Sequence, residues 1–295
     1  MSAPRLFAVM GPTASGKSHL AEEIASLLDA PILNADAFQI YRGMDIGTAK
    51  PNDRERYHLL DLKNPNEDFG VGEFVILAAD LLRHFLDQGR DVVICGGTGL
   101  YVRALLEEYK DLMPAPSEAL RREIGSLSLD EALERLQKAD PDEADRIDAK
   151  NEIRVKRALE KLTGGQTPIQ FSLPPFLTTK IAIIPPVEIS RTKIMQRTKE
   201  MIQNGWVAEV NELISQGYGP GDPGFRALGY EAIAQYVQEG GDELELVQKI
   251  ELDTVKYAKR QRTWLRAEPN LTVFNEASEA LDAVERQVRG GYYEG

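Results

Sequence analysis

Residues 5 to 18, Arg-Leu-Phe-Ala-Val-Met-Gly-Pro-Thr-Ala-Ser-Gly-Lys-Ser, are the stretch from which the fold is read. An apolar run is closed at Gly11, and the SHLAEEIASLLDA that follows carries apolar residues at helical spacing, which predicts strand, loop, helix. The loop itself, Gly11, Pro12, Thr13, Ala14, Ser15, Gly16, Lys17 and Ser18, matches G-x-x-x-x-G-K-[ST] in the context that motif requires. Its glycines let backbone N–H groups turn inward around phosphate oxygens. The helix N-terminus adds positive dipole, Lys17 supplies a mobile cation, and the Ser18 hydroxyl suits Mg²⁺. The bland reading, a Gly-rich turn with an accidental lysine, does not account for the flanking strand and helix. Such a loop speaks for a diphosphate or triphosphate and does not by itself name ATP.

Working outward, PILNA (31–35) predicts a second strand, and 74–86 a helix with Phe74, Leu77, Ala78, Leu81, Leu82 and Phe85 inward. DVVICGG then predicts a buried strand ending in glycines. Strands alternating with helices make an α/β fold: a P-loop NTPase-like parallel sheet with helices on both faces. From about Pro114 the pattern turns helical and acidic, through SEALRREIGSL, LDEALERLQKA, DPDEADRI and NEIRVKRALEKL, and stops at Gly164 and Gly165. The strand signal returns with IAIIPP at 181–186. Helices follow at 188–204, 206–216, 230–239 and 242–266, then a strand LTVFN, a helix EASEALDAVERQVR and a GGYYEG tail expected to fray. The expected division is a catalytic core of 1–113 and 176–295 with a helical insertion at 114–175. No internal repeat is apparent.

The 295 residues, 42% hydrophobic, suffice for one large or two modest domains. No apolar run approaches the roughly 18–20 residues of a membrane span, and no cleavable leader pattern is seen, so the expected compartment is the cytoplasm. One cysteine, Cys95, excludes an intramolecular disulfide and a cysteine zinc cluster, and is expected to serve packing. The net charge of −12 disfavours nucleic acid as a global field. Two local basic stretches oppose it, IRVKRALEK at 153–161 and KYAKRQRTWLR at 256–266, although such runs taken alone read as solvated helix faces.

A nucleotide hydrolase would place a second acidic residue at the end of an apolar strand. DVVICGGTGLY instead ends in Gly96, Gly97 and Thr98, and the nearest carboxylate is Asp36, after PILNA. Strand ends of a parallel sheet share one edge, so Asp36 and Thr98 are both expected to face bound phosphates. Asp36 is then expected to serve as a metal organiser or a general base; the alternative is a helix or turn cap.

Five blocks in order, GPTASGKS, NADAFQIYRGMDIGTAKP (34–51), GGTGLYVRALL (96–106), RALGYEAI (226–233) and KYAKRQRTWLR (256–266), resemble the tRNA dimethylallyltransferase (tRNA isopentenyltransferase) family over nearly the whole chain. YRGMDIGTAKP is the most telling, since generic phosphate-loop kinases do not need it. The resemblance implies transfer of a dimethylallyl group from dimethylallyl diphosphate to N6 of adenosine 37 of tRNA, with release of diphosphate, no ATP consumed and Mg²⁺ as cofactor. It makes Asp36 the general base and Arg197 a further cation on the leaving group. Thr98, a further catalytic residue by the resemblance, would touch the target nucleotide, Phe38 would contact the tRNA, and Gln39 would read the edge of the flipped adenine, an amide being able to pair with it bidentately.

The same resemblance assigns tRNA contacts to Arg121 and to Ile153, Arg154, Val155, Lys156 and Arg157 in the insertion. It assigns others to Arg226, Gly229 and Tyr230, and to Lys256, Lys259, Arg260 and Arg262 of the basic helix. Phosphate contacts act within roughly 8 Å at physiological salt, so the overall negative charge does not forbid them. Two departures stand out: Ala37 where the family usually has serine, and Lys193 where arginine is common. The expected partners are the anticodon stem-loop and dimethylallyl diphosphate, with no membrane and a monomeric chain. The other readings are a transferase acting on free adenylate, a non-catalytic RNA-binding relative with a vestigial loop, and an ATP-dependent small-molecule kinase.

Overall fold

The computed structural model describes residues 3–107, 112–165 and 167–290. In chain order the elements are β1 (Arg5–Met10), α1 (Lys17–Leu28), β2 (Ile32–Asn34), β3 (Tyr57–His58), α2 (Val71–Asp87), β4 (Val92–Gly96) and α3 (Gly99–Leu106). Four helices follow, α4 (Glu118–Gly125), α5 (Leu129–Ala139), α6 (Pro141–Arg146) and α7 (Glu152–Thr163). The chain ends with β5 (Leu177–Ile183), α8 (Val187–Gln203), α9 (Trp206–Ser215), α10 (Tyr230–Glu239), α11 (Glu243–Leu265), β6 (Leu271–Phe274) and α12 (Ala277–Gly290).

The strands form one parallel sheet in the order β3-β2-β4-β1-β5-β6. Because side chains alternate along a strand, β1 divides between two cores. Leu6, Ala8 and Met10 pack with Phe74, Leu82, Tyr101 and Leu105 of α2 and α3. Phe7 and Val9 pack with Leu20 and Ile24 of α1 and Ala280 and Val284 of α12. Burial on both faces is why these strands read as continuous apolar runs.

A third core joins α9, α10 and α11 to the loop after β2, through Trp206, Val210, Phe225, Tyr230, Ile250, Ile40, Tyr41 and Met44. The α4–α7 segment has an apolar cluster of its own, with Ile124, Ala132, Leu136, Val155 and Leu159 inward. Each of its helices is started by a polar side chain accepting a backbone N–H: Ser117, Ser128 in a capping box with Glu131, Asp140, and Asn151.

Three elements differ from the sequence expectation. β3 is a two-residue edge strand amid charged residues, too short to carry a period. α3 begins inside a glycine-rich stretch that reads as a turn, and is held by the burial of Tyr101, Val102, Ala104 and Leu105. β5 starts at Leu177, because exposed Leu177 and Thr178 pair with Arg5 and Leu6 of β1; hydrogen bonding, not hydrophobicity, extends it. On α2, Leu77 and Leu81 are half-buried, and Val75, Ala79 and Leu86 go deeper, since the apolar face is rotated toward them. Among the described residues no helix is long and apolar enough to cross a membrane. The GGYYEG tail lies outside the described residues beyond Gly290.

Candidate active site

At the C-terminal edge of the sheet the phosphate loop runs between β1 and α1. Ala14 (φ 59°) and Gly16 (φ 94°) both take left-handed conformations, which curl the loop back on itself. No side chain caps the start of α1, so its first N–H groups are left for an anion. Among the described residues the Ser15 hydroxyl, buried in this loop, has no hydrogen-bond partner.

The loop opens on a cavity of about 270 Å³ lined by Thr13, Lys17, Ser18, Asp36, Phe38, Gln39, Arg197, Arg226, Tyr257, Arg260 and Gln261, among others. Burial holds the Lys17 ammonium below the ordinary lysine value; Cys95 and Asp36 pull it back up, and Arg197 pushes it further down. Burial likewise lowers Arg197, against the raising effect of Asp36. Two desolvated cations therefore share the cavity with one carboxylate. Cys95 lies at the cavity floor with its thiol pushed up to about 12 by burial, and its Sγ is 3.7 Å from the Lys17 carbonyl oxygen. It remains a thiol at neutral pH, in keeping with packing.

Asp36 is held by its neighbours. Buried Asn34 donates to the carbonyls of Leu59 (3.0 Å) and Asp36 (3.3 Å), and its Oδ1 accepts the Asp36 N–H (3.1 Å). Asp36 Oδ1 accepts the N–H of Phe38 at 3.0 Å. One Asp36 oxygen thus closes a turn, while the residue also lines the cavity. Thr98 lies in a second concavity that shares Gly96, Tyr257, Arg260 and Gln261 with the first. Its Oγ1 accepts the Ala37 N–H at 3.1 Å, and its own N–H donates to Ala35. Gly96 lets these loops touch, since a Cβ there would meet the Ala35 carbonyl at 2.2 Å.

Several expected contacts are revised. Gln39 commits Nε2 to the carbonyls of Thr48 (3.0 Å) and Ala49 (3.1 Å), leaving only Oε1, so bidentate pairing with adenine is not available in this arrangement. Val155 is fully buried in the α4–α7 core. Tyr230 is also fully buried, donating its hydroxyl to Glu209 at 2.7 Å. Neither side chain can reach a ligand from the surface. Arg262 is buried and donates to the Pro185 carbonyl and the Ser190 hydroxyl, tethering α11 to α8 rather than facing solvent.

Of the basic-helix residues, Arg260 lines the cavity, over the Tyr257 ring, while Lys256 and Lys259 are exposed away from it. Gly229, at φ 89°, starts α10 beside the Trp206 ring. Lys193 is exposed on α8 and does not line the cavity. Neither do the residues of α4–α7. Ile153 and Arg154 are exposed, Lys156 pairs with Glu152, Arg157 with Glu160, and Arg121 with Asp68 across to the loop before α2.

Residues missed in the sequence include Gln261, Tyr257, Asn34 and Glu209. Glu209 accepts the N–H groups of Asp45 (2.8 Å), Ile46 (2.7 Å) and Gly47 (3.4 Å), seating the loop that carries Gly47, Thr48 and Ala49 against the cavity. These three loop partners lie more than 160 positions away, and no local signal marks them. Among the described residues no group of three or more His, Cys, Asp or Glu is placed to hold a metal. Among the residues lining the cavity, Ser18 and Asp36 carry a hydroxyl and a carboxylate of the kind a hard cation takes.

The chain matches the family described as IPP transferase over residues 39–268, and that described as Isopentenyl transferase over 4–60. It is 36% identical to a tRNA dimethylallyltransferase of Gloeobacter violaceus, covering 97% of this chain and 99% of that one. It is 38% identical to tRNA dimethylallyltransferase 2 of Geotalea uraniireducens, covering 88% of each. The tRNA isopentenylpyrophosphate transferase structure from Bacillus halodurans superposes with a TM-score of 0.71 at 30% identity, over 97% of this chain and 96% of that chain. A eukaryotic dimethylallyltransferase acting on tRNA shares the fold at 19% identity, with a TM-score of 0.78 over 97% of this chain and 80% of that one. Matched along nearly its whole length in sequence and in fold, the chain belongs to the IPP transferase family, that of the tRNA dimethylallyltransferases.

Proposed function

We propose that this protein transfers a dimethylallyl group from dimethylallyl diphosphate to N6 of adenosine 37 in the anticodon loop of tRNA. The observation that carries the reading is the convergence of Lys17, Arg197 and Asp36 on one cavity at the phosphate loop. The loop N–H groups, Lys17 and Arg197 bind the diphosphate; as the allylic C1–O bond breaks, its electron pair leaves on diphosphate oxygen, where these groups stabilise it. The adenine N6 lone pair forms the new N–C1 bond, and the N6 proton passes to the Asp36 carboxylate. The buried, unpartnered Ser15 hydroxyl inside the loop fits an anion seated there.

The Ser18 hydroxyl, with the diphosphate oxygens, suits Mg²⁺, a hard cation commonly held by one or two protein oxygens plus phosphate. When bound, that ion neutralises charge on the leaving diphosphate. The α4–α7 segment, with exposed Ile153 and Arg154, is read as the part that grips the anticodon stem. The protein is read as a monomer working in the cytoplasm.

The test incubates the purified protein with unmodified anticodon stem-loop RNA, dimethylallyl diphosphate and Mg²⁺, beside Asp36→Ala, and follows nucleoside mass. A dimethylallyl increment on adenosine, absent in the variant, supports the reading. Product on AMP but not on RNA transfers the assignment to free adenylate. RNA binding without product on either substrate makes the chain a non-catalytic relative, and ATP consumption would make it a kinase.

A further inference from the structure

Gln261 projects from α11 into the seam between the two loops that bound the site. Its Oε1 accepts the Thr13 N–H at 2.9 Å, and its Nε2 donates to the Gly97 carbonyl at 3.0 Å. A backbone N–H only donates and a carbonyl only accepts, so these partners dictate which way the amide faces. The side chain is 9% exposed and lines both the main cavity and its neighbour. Gly97 is shaped to receive it, since a Cβ there would fall 2.6 Å from Nε2.

Thr13 belongs to the phosphate loop, four residues before Lys17. Gly97 precedes Thr98, whose hydroxyl holds Ala37 beside Asp36. One amide therefore spans the side of the cavity that takes the leaving group and the side that takes the proton. Glutamine has the reach for this and carries both an acceptor and a donor; its neighbours Arg260 and Arg262 have no acceptor.

We propose that Gln261 is a positioning residue for the transfer reaction, setting the separation of the phosphate loop and the Gly97–Thr98 loop through its paired bonds to Thr13 and Gly97. The assignment rests on the function proposed above. Gln261 acts through the two loops and takes no part in bond making.

Steady-state kinetics on Gln261→Met and Gln261→Glu test it, with dimethylallyl diphosphate and stem-loop RNA. Methionine keeps the length and removes both bonds. The KM for dimethylallyl diphosphate is expected to rise and kcat to fall, each about tenfold, since small displacements of reacting groups cost this much or more. RNA affinity should stay near wild type, and Tm should fall by a few degrees as the Thr13 N–H and the Gly97 carbonyl lose their partner. A variant whose Tm falls while KM and kcat per folded molecule are unchanged shows a purely structural bridge and overturns the proposal, as do wild-type kinetics.

Gln261→Glu adds a readout that a structural role would not move. Ionised, the introduced carboxylate accepts from Thr13 but cannot donate to Gly97; protonated, its O–H restores the donor. The ratio of variant to wild-type activity should climb as pH falls toward the carboxyl pKa, about 4.3 in a free side chain. Lys17, Asp36, Arg197, Tyr257 and Arg260 face the same space in both enzymes, so the ratio largely cancels their titration. A flat ratio overturns the proposal even if the methionine variant does not fold. Should wild type form no product at all, the proposed function fails separately. The bridge is then read by binding of inorganic diphosphate, which Gln261→Met should weaken about tenfold; unchanged affinity overturns it.

Discussion

The Oγ1 of Thr98 accepts the backbone N–H of Ala37 at 3.1 Å, so the loop after β4 holds the loop that carries Asp36. The bond is made by the main chain of residue 37, so it does not depend on the side chain there. Thr98→Val keeps the shape and removes the acceptor. It should lower kcat roughly ten- to hundredfold with little change in Tm, whereas Thr98→Ser should retain most activity. Single-turnover rates on stem-loop RNA decide between these outcomes.

Asp36→Asn separates the turn from the chemistry. Its amide oxygen can still accept the Phe38 N–H, but an amide cannot take a proton from N6. The expected loss in kcat is about 10²- to 10⁴-fold, with Tm unchanged. Asn34→Leu should instead destabilise the fold by about 1–3 kcal/mol, because the Leu59 carbonyl loses its donor and the Asp36 N–H its acceptor. Urea denaturation beside kinetics distinguishes the two.

The Lys17 ammonium is held below the ordinary lysine value of 10.5, chiefly by burial. Between that lowered value and 10.5 the unfolded chain binds more protons than the folded one, so free-protein stability should rise with pH through this window. Bound diphosphate favours the protonated form. Its binding should therefore take up protons as pH approaches the lowered value from below. Calorimetry in two buffers of different ionisation enthalpy measures that uptake, and Lys17→Met should abolish it along with most of the affinity.

Two arginines two positions apart on α11 should behave oppositely. Arg260 lines the cavity, and Arg260→Ala should weaken RNA binding and reduce the slope of log affinity against log salt by about 1. Arg262 is buried against Pro185 and Ser190, and Arg262→Ala should cost about 1–3 kcal/mol of stability while leaving that salt slope unchanged. Filter binding over a salt series, paired with thermal melts, checks both.

Glu209→Ala leaves the N–H groups of Asp45, Ile46 and Gly47 and the Tyr230 hydroxyl without their shared acceptor. A loss of about 3 kcal/mol is expected, with Tyr230→Phe costing about 1 kcal/mol. Because the same loop lines the cavity, the alanine variant should also raise the KM for substrate.

Most of the architecture was legible because it follows from local pattern. The strand, glycine loop and helix at 5–28 and the buried run at 92–96 each carry their signal within a few residues, and the helices of 118–163 carry their side-chain caps as well. α3 was not, because glycine-rich sequence reads as turn until a neighbouring core claims its Tyr101 and Leu105 faces. Asp36, Thr98 and Lys17 were legible as one edge of a parallel sheet, since strand ends in such a sheet must share a side.

Which charged and polar groups face the cavity was a different matter. Arg260, Gln261 and Arg262 are consecutive on one helix, yet one lines the cavity, one bridges two loops and one is a buried tether. Successive helical residues point about 100° apart, and the packing of α11 against α8 and the loops decides which direction meets solvent, substrate or backbone. The chain's motifs marked where its chemistry would sit; which side chains bridge loops and which stay buried was decided by contacts between residues about 60 to 250 positions apart, which no local pattern encodes.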